Sequence, residues 1–292
     1  MPYDDYHRQK KVIITVATTG AIHGKDVNPN LPEQPEEIAQ QVAACEEVGA
    51  SIAHVHGRNE HGENDASRLQ EVNDAIRQEC DDIIIQNTTG GQAKYDSRIA
   101  GIRTDPPPEM ASLDMGPFKR DKHIITNHTR NNIERLAVEM QAKGIKPEME
   151  VFNSGQLAEV RRLIDEGLVE EPPYINLIFG GSFTPANPRN LLTMVDNIPD
   201  GAEFNVLAVG PHQLPLTTMA VLLGGHVRVG MEDNLYYRRG EKAQSNQQLV
   251  ERTATIVEHL DRDIATADEA REMLGMAQKP VETAADGGQD TN

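Results

Sequence analysis

Two histidines one residue apart, His54 and His56 in SIAHVHGRNEHGEN, close a short apolar run. In an extended strand, side chains at i and i+2 leave the same face, so the two imidazoles can converge as metal ligands. Packing or a contact with a helix dipole would use the same residue types. A second stretch, GMEDN, sets two carboxylates, Glu232 and Asp233, side by side just past another apolar run. Neighbours in extended chain face opposite ways, so one can bind a metal while the other moves a proton. Two histidines and one carboxylate with an open coordination position describe a catalytic Zn²⁺ site, and Mn²⁺, Fe²⁺ or Co²⁺ would accept the same donors. On spacing alone, an acidic helix start capped by Asp or Asn explains EDN equally well.

Other strand ends carry similar chemistry. Arg228, in HVRV, can lower the pKa of Asp233 or pair with a substrate carboxylate, or form a surface salt bridge. Thr88, Thr89 and Gly90 in QNTTGG offer hydroxyls and backbone N–H groups to an oxyanion or carboxylate, although a tight strand-to-helix turn would use the same glycines. Ser112 and Asp114 lie in EMASLD, and Glu148 and Glu150 share one strand face in KPEMEV, with Glu150 nearer the strand end. The loop FGGSFTPANPRN is longer than a simple connection, and such loops are usually functional; ending in Arg189 and Asn190, it is a candidate cover for an anionic cofactor tail. His23, His61, His123, His128 and His212 have no partner at a telling spacing and read as structural, with His23 and His212 placed in loops near the strand ends. Cys45 and Cys80 show no CxxC spacing and read as small buried hydrophobes.

The elements that must position these groups alternate along the chain. Short β-rich runs (KVIITVA, SIAHVH, DDIIIQNTT, EMASLDM, KHIITN, KPEMEVF, YINLIFG, EFNVLAV, HVRVGM) are separated by segments of helical period such as EEIAQQVAACEEVGA and NNIERLAVEMQAKG. Nearly continuous apolar strands suit a parallel sheet covered on both faces. No GxGxxG follows the first strand and no GxxxxGK[ST] occurs, so the nucleotide-binding open sheets lose their main support. Roughly eight repeats favour an α/β fold of the (β/α)8 TIM-barrel type, in which functional groups gather at the C-terminal ends of the strands.

Composition narrows the partners. A formal charge of -18, from 46 acidic and 28 basic residues, argues against nucleic acid or an anionic membrane as partner. No run approaches a membrane span and the first residues lack a signal peptide's apolar centre, so a cytoplasmic protein is expected. Residues 1–275 read as one catalytic domain and 276–292 as an acidic, disordered tail. The acidity also fits a protein that must stay soluble at high salt.

In combination, IITVATTGA, NPNLPEQPEEIAQQ, GASIAHVHGR, IIIQNTTGG, PPEMASLD, KPEMEVFNSG, GGHVRVGMEDNLYY and AQSNQQLVERTATI resemble the β-keto acid cleavage enzymes over nearly the whole chain. The resemblance implies a TIM-barrel acyltransferase, Zn²⁺-dependent, that turns a β-keto acid and acetyl-CoA into acetoacetate and a new acyl-CoA, and it implies a homo-oligomer, a tetramer. Carried over by motif, His54, His56 and Glu232 would bind Zn²⁺, Asp233 would be the general base and Arg228 would position it. Thr88, Thr89, Gly90, Ser112 and Glu150 would meet the substrate. The expected chemistry has Asp233 take a proton from the acetyl methyl group, whose enolate attacks the keto carbonyl before a reverse-Claisen cleavage. One departure stands out: members that cleave an aminohexanoate carry glutamate after TGA, and this chain has Ile22. A neutral or apolar substrate tail is therefore expected, unless His23 or Asp26 reaches the pocket. The alternative is a metal-dependent aldolase or hydrolase on the same barrel that does not use CoA.

Overall fold

A computed structural model describes residues 11–90, 95–119 and 125–278. Eight parallel strands close into a barrel: β1 (Ile14–Ala17), β2 (Ile52–Val55), β3 (Ile84–Asn87), β4 (Met110–Asp114), β5 (Lys146–Val151), β6 (Tyr174–Phe179), β7 (Glu203–Ala208) and β8 (His226–Val229). β8 returns beside β1 with Thr15 opposite Arg228, so the sheet has no open edge. Around it run α1 (Pro35–Glu47), α2 (Leu69–Glu79), the short α3 (Tyr95–Arg98), α4 (Arg130–Ala142), α5 (Leu157–Asp165), α6 (Pro188–Val195), α7 (Gln213–Leu222), α8 (Asn246–His259) and α9 (Ala267–Met273). The TIM-barrel expectation holds. The KHIITN run is not a barrel strand: Ile125–Thr126 pairs antiparallel with Phe118–Lys119 in a small hairpin between β4 and β5. His123, Gly91 and the tail from Lys279 onward lie outside the described residues. Among the described residues no helix is long and apolar enough to cross a membrane.

Strand parity explains where the polar residues go. Outward positions such as Val16, Ala53, Ile85, Leu113, Met149, Leu177, Val206 and Val229 pack with helix residues such as Ile38, Val72, Leu136, Leu163 and Val257 into the main core. At the N-terminal end of the barrel the inward residues Ile13, Ile52, Ile84, Met110 and Tyr174 meet Ala265, Ala270 and Leu274. That end is plugged by α9, held by the buried Arg271 guanidinium against Asp82 and Glu109. One layer higher, the inward residues Gln86, Ser112, Glu148, Asn176 and Asn205 are buried and polar. The strands are thus apolar toward the helices and polar toward the barrel axis, which sends all the chemistry of β2 to β8 to one end.

Candidate active site

Strand β2 delivers His54 inward, with His56 two residues on, and both are buried. His54 Nε2 lies 3.4 Å from His56 Nε2, and Glu232 Oε1 lies 3.3 Å from His56 Nε2 and 3.8 Å from His54 Nε2. Ligands about 2.0–2.1 Å from a tetrahedral dication stand roughly 3.3–3.4 Å apart, so the three atoms fit around one ion. Among the described residues Glu232 Oε2 is buried without a hydrogen-bond partner, as a carboxylate aimed at a cation would be. Burial, with the Arg228 charge, pushes His54 down to about 3, which keeps its imidazole neutral and able to ligate. Burial alone would raise Glu232, but the nearby His56 and Arg228 hold it well below the usual carboxylate range.

Glu232 reaches this position through two glycines. Gly230 has φ +139, and a Cβ there would lie 2.1 Å from the Ala17 carbonyl oxygen, so only glycine lets the chain turn this tightly over β1. Gly20 has φ +63 and is pressed against the Glu232 side chain: a Cβ would come within 2.6 Å of Glu232 Cγ. The turn is fastened from outside by Asn246 at the start of α8, which accepts from Met231 N at 2.7 Å and donates to the Thr18 carbonyl at 3.1 Å. The buried Arg58 fastens the β1 loop by donating to the carbonyls of Thr19, Gly20 and His23.

Arg228 is the electrostatic centre of the site. Its guanidinium donates to Asp233 Oδ2 at 3.0 Å, Glu232 Oε1 at 2.8 Å and Glu150 Oε1 at 3.2 Å. Burial opposes its charge, yet the surrounding carboxylates hold it above its ordinary value. Asp233, buried and beside the Glu232 anion, is pushed up to about 7 despite Arg228, the range in which a carboxylate works as a general base. A second carboxyl pair sits across the barrel mouth, where Asp114 and Glu150 are register partners on β4 and β5. Burial and the Asp114 charge push Glu150 well above the usual range, whereas His128 and Arg98 outweigh burial and keep Asp114 ionised. Burial thus favours the neutral form of Glu150, and the two cations favour the ionised form of Asp114. His128 Nε2 is 3.0 Å from Asp114 Oδ2. Spacing gave His128 no partner because Asp114 is delivered by a different strand.

These groups share one cavity of about 240 Å³ at the C-terminal end of the barrel. Its lining contains His54, His56, Thr88, Gly90, Glu150, Arg228, Glu232 and Asp233 from the expected set, together with Asp114. Thr89 and Ser112 sit behind this wall and bind one another: Thr89 N donates to Ser112 Oγ at 3.1 Å and Thr89 Oγ1 to the Ser112 carbonyl at 2.7 Å. The remaining wall is apolar, with Phe118, Phe152 and Phe183 in mutual ring contact beside Ile178, Leu207 and Val209. Gly181, Ser182 and Phe183 of the FGGSFTPANPRN loop join the lining, while Arg189 beyond it is exposed. Ile22 is 68% exposed and faces the cavity mouth. His23 also lines it, whereas Asp26 belongs to an adjoining polar recess.

The model of the beta-keto acid cleavage enzyme family matches residues 11–276. The 3-keto-5-aminohexanoate cleavage enzyme of Fusobacterium nucleatum is 38% identical over 269 residues, covering 91% of this chain and 98% of that protein. The 3-dehydrocarnitine:acetyl-CoA trimethylamine transferase of Rhizobium meliloti is 31% identical over 297 residues, covering 92% and 98%. Among solved structures, the binary complex of ObcA with oxaloacetate superimposes with a TM-score of 0.75 over 86% of this chain and 68% of that one, at 18% identity, a likeness of fold.

Proposed function

The chain belongs to the beta-keto acid cleavage enzyme family, and from that premise we propose that it is a Zn²⁺-dependent acyltransferase that uses acetyl-CoA to cleave a β-keto acid with a neutral or apolar tail, giving acetoacetate and a new acyl-CoA. The observation that carries the reading is the convergence of His54, His56 and Glu232 beside the Asp233–Arg228 pair in one cavity. His54, His56 and Glu232 would hold the ion, which when bound supplies a Lewis acid for the keto oxygen and an anchor for the substrate carboxylate.

Atom balance sets the order of steps. If the acetyl methyl were the nucleophile, as first expected, cleavage would expel acetate and leave a 3-ketoacyl thioester, which are not the products. The proton must instead leave C2 of the β-keto acid, the methylene between its two carbonyl groups, and Asp233 takes it. The C2 carbanion attacks the acetyl carbonyl and expels the CoA thiolate. The thiolate adds to the original keto carbon, the C2–C3 bond breaks to release the acyl-CoA, and Asp233 returns its proton to C2 of acetoacetate. Arg228 orients Asp233 throughout, and Glu150, whose neutral form burial favours, would donate to an oxygen that gains charge when it carries its proton.

Tail selectivity rests on the wall. Phe118, Phe152, Phe183, Ile178, Leu207 and Val209 offer apolar contact, and Ile22 offers an ammonium no counter-charge. The exception named from sequence is met by His23, which adds a hydrogen-bonding group but no carboxylate. The loop carrying Gly181 and Phe183 would cover the acetyl-CoA tail, with Arg189 at its far end facing solvent. A tetramer is part of the proposal and is checked by light scattering. Incubating purified, Zn²⁺-loaded protein with acetyl-CoA and a panel of β-keto acids, read by mass spectrometry, tests the reading; activity that needs no CoA would point to the aldolase or hydrolase alternative.

A further inference from the structure

We propose that Gln86 and Glu148 fix the tautomer of His54 and thereby set the affinity of the metal site, an inference that rests on reading His54, His56 and Glu232 as metal ligands. His54 and Gln86 are register partners on β2 and β3, and both are buried inside the barrel. His54 Nδ1 lies 2.8 Å from Gln86 Oε1, while its Nε2 faces His56 and Glu232. The two ring nitrogens of this histidine therefore have different tasks, and metal binding requires the proton on Nδ1.

A glutamine amide can turn either its oxygen or its NH₂ toward a neighbour. Here the choice is made by Glu148, the buried carboxylate that also lies against Gln86. Glu148 Oε1 accepts from Asn205 Nδ2 at 2.7 Å and Oε2 from Asn176 Nδ2 at 3.3 Å, so both of its oxygens act as acceptors. Gln86 Nε2 makes no hydrogen bond among the described residues. A Glu148 that accepts at both oxygens would draw this NH₂ toward itself and leave Oε1 for His54. Burial raises the Glu148 carboxyl, and Arg228 and the asparagine donors oppose that rise. An amide oxygen only accepts, so His54 Nδ1 carries the hydrogen and Nε2 keeps its lone pair for the ion. Among the described residues His56 has no matching brace, because its Nδ1 is buried without a partner. The protein thus presets one imidazole of the two through a Glu148–Gln86–His54 line, and Gln86 and Glu148 act as positioning residues.

The test uses full-length protein in two forms. In the metal-free protein with nitrogen-15 labelled histidines, long-range proton–nitrogen NMR is expected to show His54 as the Nδ1–H tautomer. Gln86→Met, which keeps the volume and removes the acceptor, is expected to lose that preference and to weaken Zn²⁺ binding about 10–100-fold in chelator competition. Glu148→Gln, which frees the amide to turn, is expected to move both readouts in the same direction, and it decides the question if Gln86→Met does not fold. His54 carrying its hydrogen on Nε2 in the wild type, or folded variants that keep the wild-type tautomer and affinity, would overturn the proposal. Failure of the wild type to bind Zn²⁺ would overturn the metal reading and the affinity half with it, while the tautomer spectrum still decides the positioning half.

Discussion

Asp233 and Glu232 are neighbours in sequence with opposite electrostatic fates. Glu232 is drawn down by His56 and Arg228, and Asp233 is pushed up to about 7 by burial beside it. On the proposed function, that split separates a ligand from a base. Asp233→Asn removes the base and leaves the ligands, so kcat is expected to fall about 10²–10⁴-fold with Zn²⁺ content by elemental analysis unchanged; loss of metal in that variant would make Asp233 a ligand. Gly20 serves the same pair from the other side. With φ +63 and a would-be Cβ 2.6 Å from Glu232 Cγ, Gly20→Ala must displace the carboxylate, and Zn²⁺ affinity in chelator competition is expected to drop about tenfold or more. Affinity equal to wild type would mean that Glu232 does not need its present position.

Among the elements, the loop after β1 carries Ile22, which on the proposed function faces the substrate tail. Ile22 stands at the mouth of a cavity whose wall is largely Phe, Ile, Leu and Val. Ile22→Glu supplies the missing carboxylate and is expected to raise kcat/KM for an amino-bearing β-keto acid relative to a neutral one of equal length, by about tenfold, the worth of one partly desolvated ion pair; an unchanged ratio would place the tail elsewhere. The strand ends were legible in the sequence because they obey parity: His54 and His56 share a face, and GMEDN follows an apolar run. Asn176 and Asn205 were hidden inside YINLIF and EFNVLA, where one inward polar residue looks like an interruption of an apolar strand. The Arg98–His128–Asp114 contact was invisible to spacing because it joins β4 to segments on either side of it. Ser112 and Thr89, expected to meet the substrate, hydrogen-bond each other behind the cavity wall. The family resemblance named candidate residues of the site; it did not say that Asp114 and Glu150 lie side by side or which glycine packs against Glu232.

For the molecule as a whole, the -18 charge is spread over a surface whose basic residues are few, and at low ionic strength that charge repels itself. Screening shortens the reach of such repulsion from about 30 Å at 0.01 M to about 3 Å at 1 M salt. The melting temperature is therefore expected to rise between low salt and molar KCl, and a flat or falling trend would remove the high-salt reading of the composition. The charge also makes the site's own positive groups matter more: Arg228 is fully committed to three carboxylates, so an anionic co-substrate must be met by other groups at the mouth. The function itself is tested most directly by supplying acetyl-CoA with carbon-13 in both acetyl carbons to the Zn²⁺-loaded protein and its best β-keto acid. The expected result is acetoacetate labelled at C3 and C4 together with an unlabelled acyl-CoA, whereas label at C1 and C2, label in the acyl group, or no acetoacetate with any chain would contradict it.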